Sequence, residues 1–314
     1  LIVRGAVLRG IACGAAMMVG ATPALAGPLA IIKSKNIQIY NDAVIGFRSN
    51  CGGEILEYDM DEDFGRGETI ADEINGKGVD AVFVLGTRAA ITARKHIDGG
   101  LPVVFALVLD PEQSDIKAPN ITGVKLEIPI RTQLETLQAI VPSVKKIGVM
   151  YNPKRSQAVV LEAAEVAKSL GIQIIASRIE RKEDAVRALS VFAGGIDAFW
   201  LIADPTVANA EVFPQLLQFT INNRTPFFAF SEAFVRARAL FSLSPDYAGI
   251  GKQSCGLVQE IRGGKAAAQI PWQDPKGLSL SVNMKTAQQL GLGEISVNAF
   301  SFAAGKGYQI VPVQ

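Results

Sequence analysis

Val79-Asp80-Ala81-Val82-Phe83-Val84-Leu85 runs straight into Gly86-Thr87-Arg88-Ala89-Ala90. Seven residues, six of them apolar, are too few for a buried helix. They also do not alternate as a half-exposed strand would, so they read as a strand covered on both faces, the kind found in parallel sheets. Gly86 then turns the chain, and Arg88 to His96 reads as a helix. A buried strand, a glycine turn and a helix make up one unit of an α/β fold.

The same alternation extends in both directions. Toward the N-terminus lie a strand at Ala30-Ile31-Ile32, a helix over Tyr40 to Asn50, a strand over Glu54 to Tyr58 and a helix over Glu68 to Asn75. Toward the C-terminus, Pro102 to Val108 and Ile121 to Val124 read as strands. After Pro129 the pattern restarts. Thr132 to Ile140 is helical, and Lys146 to Tyr151 is a strand. A helix carrying Val159, Val160, Ala163, Val166, Ala167 and Leu170 on one face ends at Gly171. Strands follow at Ile172 to Ala176, Ala198 to Ile202 and Phe227 to Phe230, with helices between them that carry Val186, Leu189 and Phe192, then Val212, Leu216 and Phe219. Ile250 to Ile261 is a long late helix, and Leu278 to Val282 a further strand. The expectation is an α/β protein of two doubly wound parallel-sheet lobes joined by a hinge crossed more than once. Residues 27–125 plus about 247–270 would form the N-terminal lobe, and 126–246 plus about 271–314 the C-terminal lobe. At 314 residues the chain is long enough for two such cores.

Residues 1–26 read as an export signal. Arg4 and Arg9 precede an apolar segment, Ile11 to Gly20, and Ala24-Leu25-Ala26 supplies a small-residue cleavage site. Cys13 falls inside the apolar segment. Removing residues 1–26 leaves 29 basic and 30 acidic residues, so no overall charge favours nucleic acid. A periplasmic location is expected. There Cys51 and Cys255 have the oxidising surroundings in which thiols pair, although the sequence leaves both the pair and two free thiols open.

Ligands of open parallel sheets bind beyond the carboxyl ends of the strands. Gly86-Thr87-Arg88 is the best anion candidate, because a helix begins there with free N–H groups and the positive end of its dipole. The competing reading is that Thr87 only caps its helix and Arg88 faces solvent. Asp204, at the end of a strand in the other lobe, suits an ammonium group, or else caps a helix that has Pro205 at its first position. Tyr40 and Tyr151 offer faces for a flat ligand. His96 is the sole histidine, so histidine-rich metal sites are excluded and a Ser-His-Asp triad would have to use it. It is expected to cap the end of its helix. Asp59, Asp61 and Asp63 alternate like a calcium loop, but Phe64 and Ile70 stand where the glycine and the bidentate glutamate belong, so they read as a solvated strand end. No P-loop or G-x-G-x-x-G is present. No cofactor, metal or catalytic residue is expected.

The strand-end segments resemble ABC-type substrate-binding proteins of the tryptophan/tyrosine-transport-like family. In the first half the resemblance rests on Ile32-Lys33-Ser34 with Tyr40 and Gly46-Phe47, on Leu85 to Ala90, on Pro102 to Ala106 with Asp110-Pro111, and on Asn120 to Val124. In the second half it rests on Ile147 to Pro153, Asp197 to Trp200 with Asp204, Ser242-Leu243-Ser244, Val282-Asn283 and Leu290-Gly291-Leu292. It implies the type I periplasmic-binding-protein fold, three hinge crossings and a non-catalytic protein that closes over a small organic molecule. The ligand would be amino-acid-like, with aromatic side chains among those taken by the family. Thr87, with Gly86 and Arg88, would receive the ligand carboxylate and Asp204 its amine, while Ser34, Tyr40, Asp110, Tyr151 and Ser231 would line the cleft. The partner would be an ABC permease in the cytoplasmic membrane, and the protein a monomer that binds no nucleic acid. Glu112-Gln113-Ser114-Asp115, after Asp110-Pro111, lacks the glycine common there in the family. Two rivals are a sensor module for a membrane kinase, which has the same fold, and a racemase using Cys51 and Cys255 as acid and base. The latter needs both cysteines at facing strand ends, whereas Cys51 follows a helix and Cys255 sits within one.

Overall fold

A computed structural model describes residues 27–314; the export-signal reading of residues 1–26 lies outside the described residues. The first sheet contains β1 (Leu29–Lys33), β2 (Ile55–Asp59), β3 (Ala81–Leu85), β4 (Val103–Ala106) and β5 (Ile121–Val124), all parallel, in the order β2-β1-β3-β4-β5. Its helices are α1 (Gln38–Arg48), α2 (Phe64–Asn75) and α3 (Thr87–His96). The apolar run that announced β3 is wholly buried, as expected for a strand with helices on both faces.

The second half contains α4 (Ile130–Ile140), β6 (Lys146–Tyr151), α5 (Pro153–Ser169), β7 (Gln173–Arg178), α6 (Ala185–Ala188), β8 (Ala198–Trp200), α7 (Phe213–Asn222), β9 (Phe227–Ala229), α8 (Glu232–Arg236) and β10 (Phe241–Pro245). It continues with α9 (Tyr247–Arg262), β11 (Leu278–Asn283), α10 (Met284–Gln289), α11 (Gly293–Lys306) and β12 (Gln309–Val313). The sheet order is β12-β11-β10-β9-β8-β6-β7. These two parallel-sheet lobes with helical crossovers are the type I periplasmic-binding-protein fold.

Three features depart from the sequence reading. β10 and β12 add strands that periodicity did not reveal, because Ser242, Ser244 and Pro245 interrupt the first and β12 is largely exposed. β11 runs antiparallel to β10. The chain leaves β10 at its hinge end, forms α9 and returns at that same end, so β11 must enter in the opposite direction. The helix expected around Val186, Leu189 and Phe192 is only α6 flanked by two 3₁₀ turns, with Phe192 buried and Val186 exposed.

α9 packs on α1 at backbone contact distance. A Cβ on Gly46 would lie 1.9 Å from the Ala248 carbonyl oxygen, and one on Gly251 would lie 1.9 Å from that of Ala43, so only glycine permits this approach. Cys51 and Cys255 close a disulfide beside that contact, with Cα atoms 5.6 Å apart. The bond takes both thiols and holds them in the lobe of the first sheet, so neither is an acid or base facing its partner across a cleft.

The hinge crossings are knitted together. Lys125 N–H donates to Gln273 O (2.7 Å), Gln273 N–H to Gly123 O (2.9 Å) and Asp246 N–H to Gly277 O (3.0 Å). Gln253 donates through Nε2 to Gln273 Oε1 and accepts from Lys276 N–H, tying α9 to the last crossing.

Candidate functional site

In each sheet the strand order reverses at one place: between β1 and β3 in the first, and between β6 and β8 in the second. The crevice at such a switch point is where open α/β sheets bind ligands. Most of the residues singled out for a ligand lie at these two switches or on the strand next to one of them.

At the first switch Ser34 follows β1 and Gly86 follows β3. Ser34 Oγ donates to Leu85 O (2.9 Å) and accepts from Ala89 N–H (3.0 Å), so Ser34, 55 residues away in the chain, acts as the cap of α3. Gly86 has φ +89° and ψ 163°, a conformation reserved for glycine. A Cβ there would lie 2.2 Å from Tyr40 Oη and 2.7 Å from Ser34 Oγ. Ser34, Tyr40, Gly86 and Thr87 are therefore one cluster. With Ser34 taking the Ala89 N–H, those of Thr87 and Arg88 have no protein acceptor among the described residues. Two free N–H groups at a helix start are donors of the kind that can receive an anion. Burial holds the Tyr40 phenol above its ordinary pKa, reinforced by Glu62 and opposed by Lys35 and Ser34, so it keeps its proton at neutral pH.

Thr87 Oγ1 accepts from Leu109 N–H (3.2 Å), which ties the loop after β4 to this seat. Asp110, next in that loop, is exposed with φ +46°, and its N–H donates to Glu127 Oε1 (3.0 Å) on the first hinge crossing. Arg88 does not supply charge to the seat. Its Nη1 donates to Glu62 O (2.8 Å) and its guanidinium lies 5.0 Å above the Phe64 ring, because the loop after β2 lies within reach and satisfies it. His96, at the far end of α3, has Nδ1 3.8 Å from Glu68 and does not cap its helix.

At the second switch Asp204 and Tyr151 are both engaged inside the protein. Asp204 has no exposed surface. Its Oδ2 accepts from Asn152 N–H (2.7 Å) and its Oδ1 from Thr206 N–H (2.9 Å), so it fastens the end of β8 to the end of β6 rather than meeting a ligand ammonium. Tyr151 is only 3% exposed. Its ring belongs to the core and its hydroxyl accepts from Arg178 Nε (3.0 Å), leaving no face for stacking. Asn152 caps α5, and Ser231 caps α8 by accepting from Ala233 N–H (3.2 Å). Two concavities of about 340 Å³ each lie elsewhere. One is lined by Arg236, Arg238 and Lys285 among others, the other by Lys117 and Trp272 among others, and neither includes a residue of the two switch-point groups. Among the described residues no group of three or more His, Cys, Asp or Glu is placed to hold a metal.

Leu109 and Glu127 were not singled out in the sequence. The signal for Leu109 was there: an apolar residue outside any strand, directly before Asp110-Pro111.

The profile of the family described as ABC transporter substrate binding protein matches residues 52–302. The chain belongs to that family. A tyrosine-binding protein of Clostridioides difficile is 24% identical over 246 residues, 75% of this chain and 70% of that protein. A ligand-free, open substrate-binding protein with adhesive properties from Clostridium difficile has the same fold, with TM-score 0.76 and 20% identity, covering 92% of this chain and all of that one. An ABC domain from Streptococcus pneumoniae in complex with L-Trp also shares it, with TM-score 0.56 and 22% identity, covering 90% of this chain and all of that one. The protein is thus the extracytoplasmic solute-binding component of an ABC importer, a carrier and not an enzyme. It works with a membrane permease on a small-molecule ligand. No helix among the described residues is long and apolar enough to cross a membrane.

Proposed function

We propose that the protein binds a free amino acid with an aromatic side chain and delivers it to its permease. The observation that carries this is the pair of unpartnered N–H groups of Thr87 and Arg88 at the switch point of the first sheet. A carboxylate suits these two donors, and the Tyr40 phenol lies against the neighbouring Gly86. Asp110 replaces Asp204 as the group that receives the ammonium, since it is exposed and directly follows Leu109, whose N–H is bonded to Thr87 Oγ1. Tyr40, Ser34 and Ser231 border the cleft. A relative named for binding tyrosine, and a structure of the same fold holding L-Trp, support the ligand class.

Residues 27–125 with about 247–270 move as one lobe and the remainder as the other, turning about the three crossings. Ligand contacts made only when the lobes meet shift the population toward the closed form. The protein acts as a monomer in the periplasm, released from its signal segment, and docks on an ABC permease of the cytoplasmic membrane. The Cys51–Cys255 disulfide supports an oxidising compartment.

Calorimetric titration with tyrosine and with tyramine, which lacks the carboxylate, tests the seat. Charge-assisted hydrogen bonds contribute about 1.5–3 kcal/mol each, so tyramine binds at least about tenfold more weakly. Equal affinity for the two compounds removes the carboxylate seat.

A further inference from the structure

We infer that Leu109 is the first-lobe side chain that meets the apolar part of the ligand and selects for a ring; this rests on the amino-acid reading above. Among the described large apolar residues Leu109 is the most exposed, at 67%. It follows Leu107 and Val108, which are buried at 3% and 0%. Its outward position is not that of a loose loop. Its N–H donates to Thr87 Oγ1 (3.2 Å), and its C=O accepts from Ser114 Oγ (2.9 Å). On its two sides Leu107 and Asp110 hold left-handed backbone, φ +56° and +46°, which non-glycine residues keep only where surrounding structure enforces it. The Asp110 N–H is fixed in turn to Glu127.

A leucine shown to solvent on a backbone bonded at both its own polar atoms is pre-organised for contact. Its backbone lies beside the helix start at Thr87. One hydrogen bond separates it from Thr87, whose N–H begins the anion seat, so an amino acid held there by its carboxylate has its side chain within reach of the leucine. Burying a leucine against a ring removes apolar surface from water on both sides. A ligand whose side chain is too short to reach it, such as alanine, gains nothing from it. Leu109 therefore adds selectivity to a seat that binds only the part common to all amino acids.

The test is calorimetry or competition with tyrosine, tryptophan and alanine on wild type, Leu109→Ala and Leu109→Phe. The two variants should keep the wild-type melting temperature, because the side chain is exposed. Leu109→Ala is expected to lower affinity for the two ring-bearing amino acids by about tenfold while leaving affinity for alanine unchanged, and Leu109→Phe to shift the preference between tyrosine and tryptophan. If wild type binds tyrosine or tryptophan and Leu109→Ala keeps the same ring-to-alanine ratio, the role of Leu109 is overturned and the amino-acid reading stands. If wild type binds none of the three, the amino-acid reading falls and this inference with it.

Discussion

Asp204 Oδ2 accepts the backbone N–H of Asn152 at 2.7 Å, joining the ends of β8 and β6 across 52 residues of chain. With Oδ1 on Thr206 N–H, this fully buried carboxylate orders both loops at the switch point of the second sheet. A buried donor that loses its acceptor retains its desolvation cost. Asp204→Ala should therefore destabilise the protein by about 1.5–3 kcal/mol, and Asp204→Asn, which keeps one acceptor, by less. Urea unfolding measures both. A fully stable Asp204→Ala protein that has lost only ligand binding would return Asp204 to the role of amine partner.

The α1–α9 contact carries its own control. Gly251→Ala drives a methyl group into the Ala43 carbonyl at 1.9 Å, whereas a Cβ on Gly256, five residues along the same helix, meets nothing within 4 Å. Overpacking of this kind costs about 1–3 kcal/mol, while Gly to Ala in an open helix position gains up to about 1 kcal/mol. Thermal unfolding should show a lower midpoint for Gly251→Ala and an equal or higher one for Gly256→Ala.

The disulfide links cysteines 204 residues apart, one after α1 and the other inside α9. Its main effect is to restrict the unfolded chain, and long loops contribute most. Reduction, or the double Cys→Ser variant, should lower stability by about 2–5 kcal/mol. Chemical unfolding with and without reductant measures this, and coincident curves would mean the bond contributes nothing.

Glu57 gives the acid limb of stability a specific source. Burial by itself raises its pKa, but the hydrogen bonds and charges of Lys33 and Arg48 outweigh that and hold it below the ordinary glutamate value. A carboxylate whose folded pKa is depressed contributes stability above its unfolded pKa and loses it as pH falls through its folded pKa. Stability should drop as the pH falls through and below the usual glutamate range, and Glu57→Gln should flatten that drop. Unfolding curves measured from neutral pH downward compare the two proteins.

The alternation of strand runs with helix faces was enough to find β1 to β9, and in strands such as β3 burial on both faces leaves a mark in a single short segment. β10 and β12 left no such mark. The direction of β11 could not be read locally, since it follows from where the chain re-enters the lobe. The turn at Gly86 and the helix start at Thr87 were legible because strand, glycine and helix are contiguous there. The partners of Asp204, Tyr151 and Arg88 were not legible for one reason: each is a polar side chain whose partner is remote in sequence, at Asn152, Arg178 and Glu62.

By itself the sequence determined the alternation of strands and helices, the restart that separates two sheets, and the polar residues at the strand ends. These depend on patterns within a few residues, where hydrophobic burial and turn chemistry act. Only the tertiary structure decided which polar groups at those ends remain free. Hydrogen-bond satisfaction is competitive: a carboxylate or guanidinium reaches the nearest unpaired backbone group, and that group is set by how distant strands and loops are packed together.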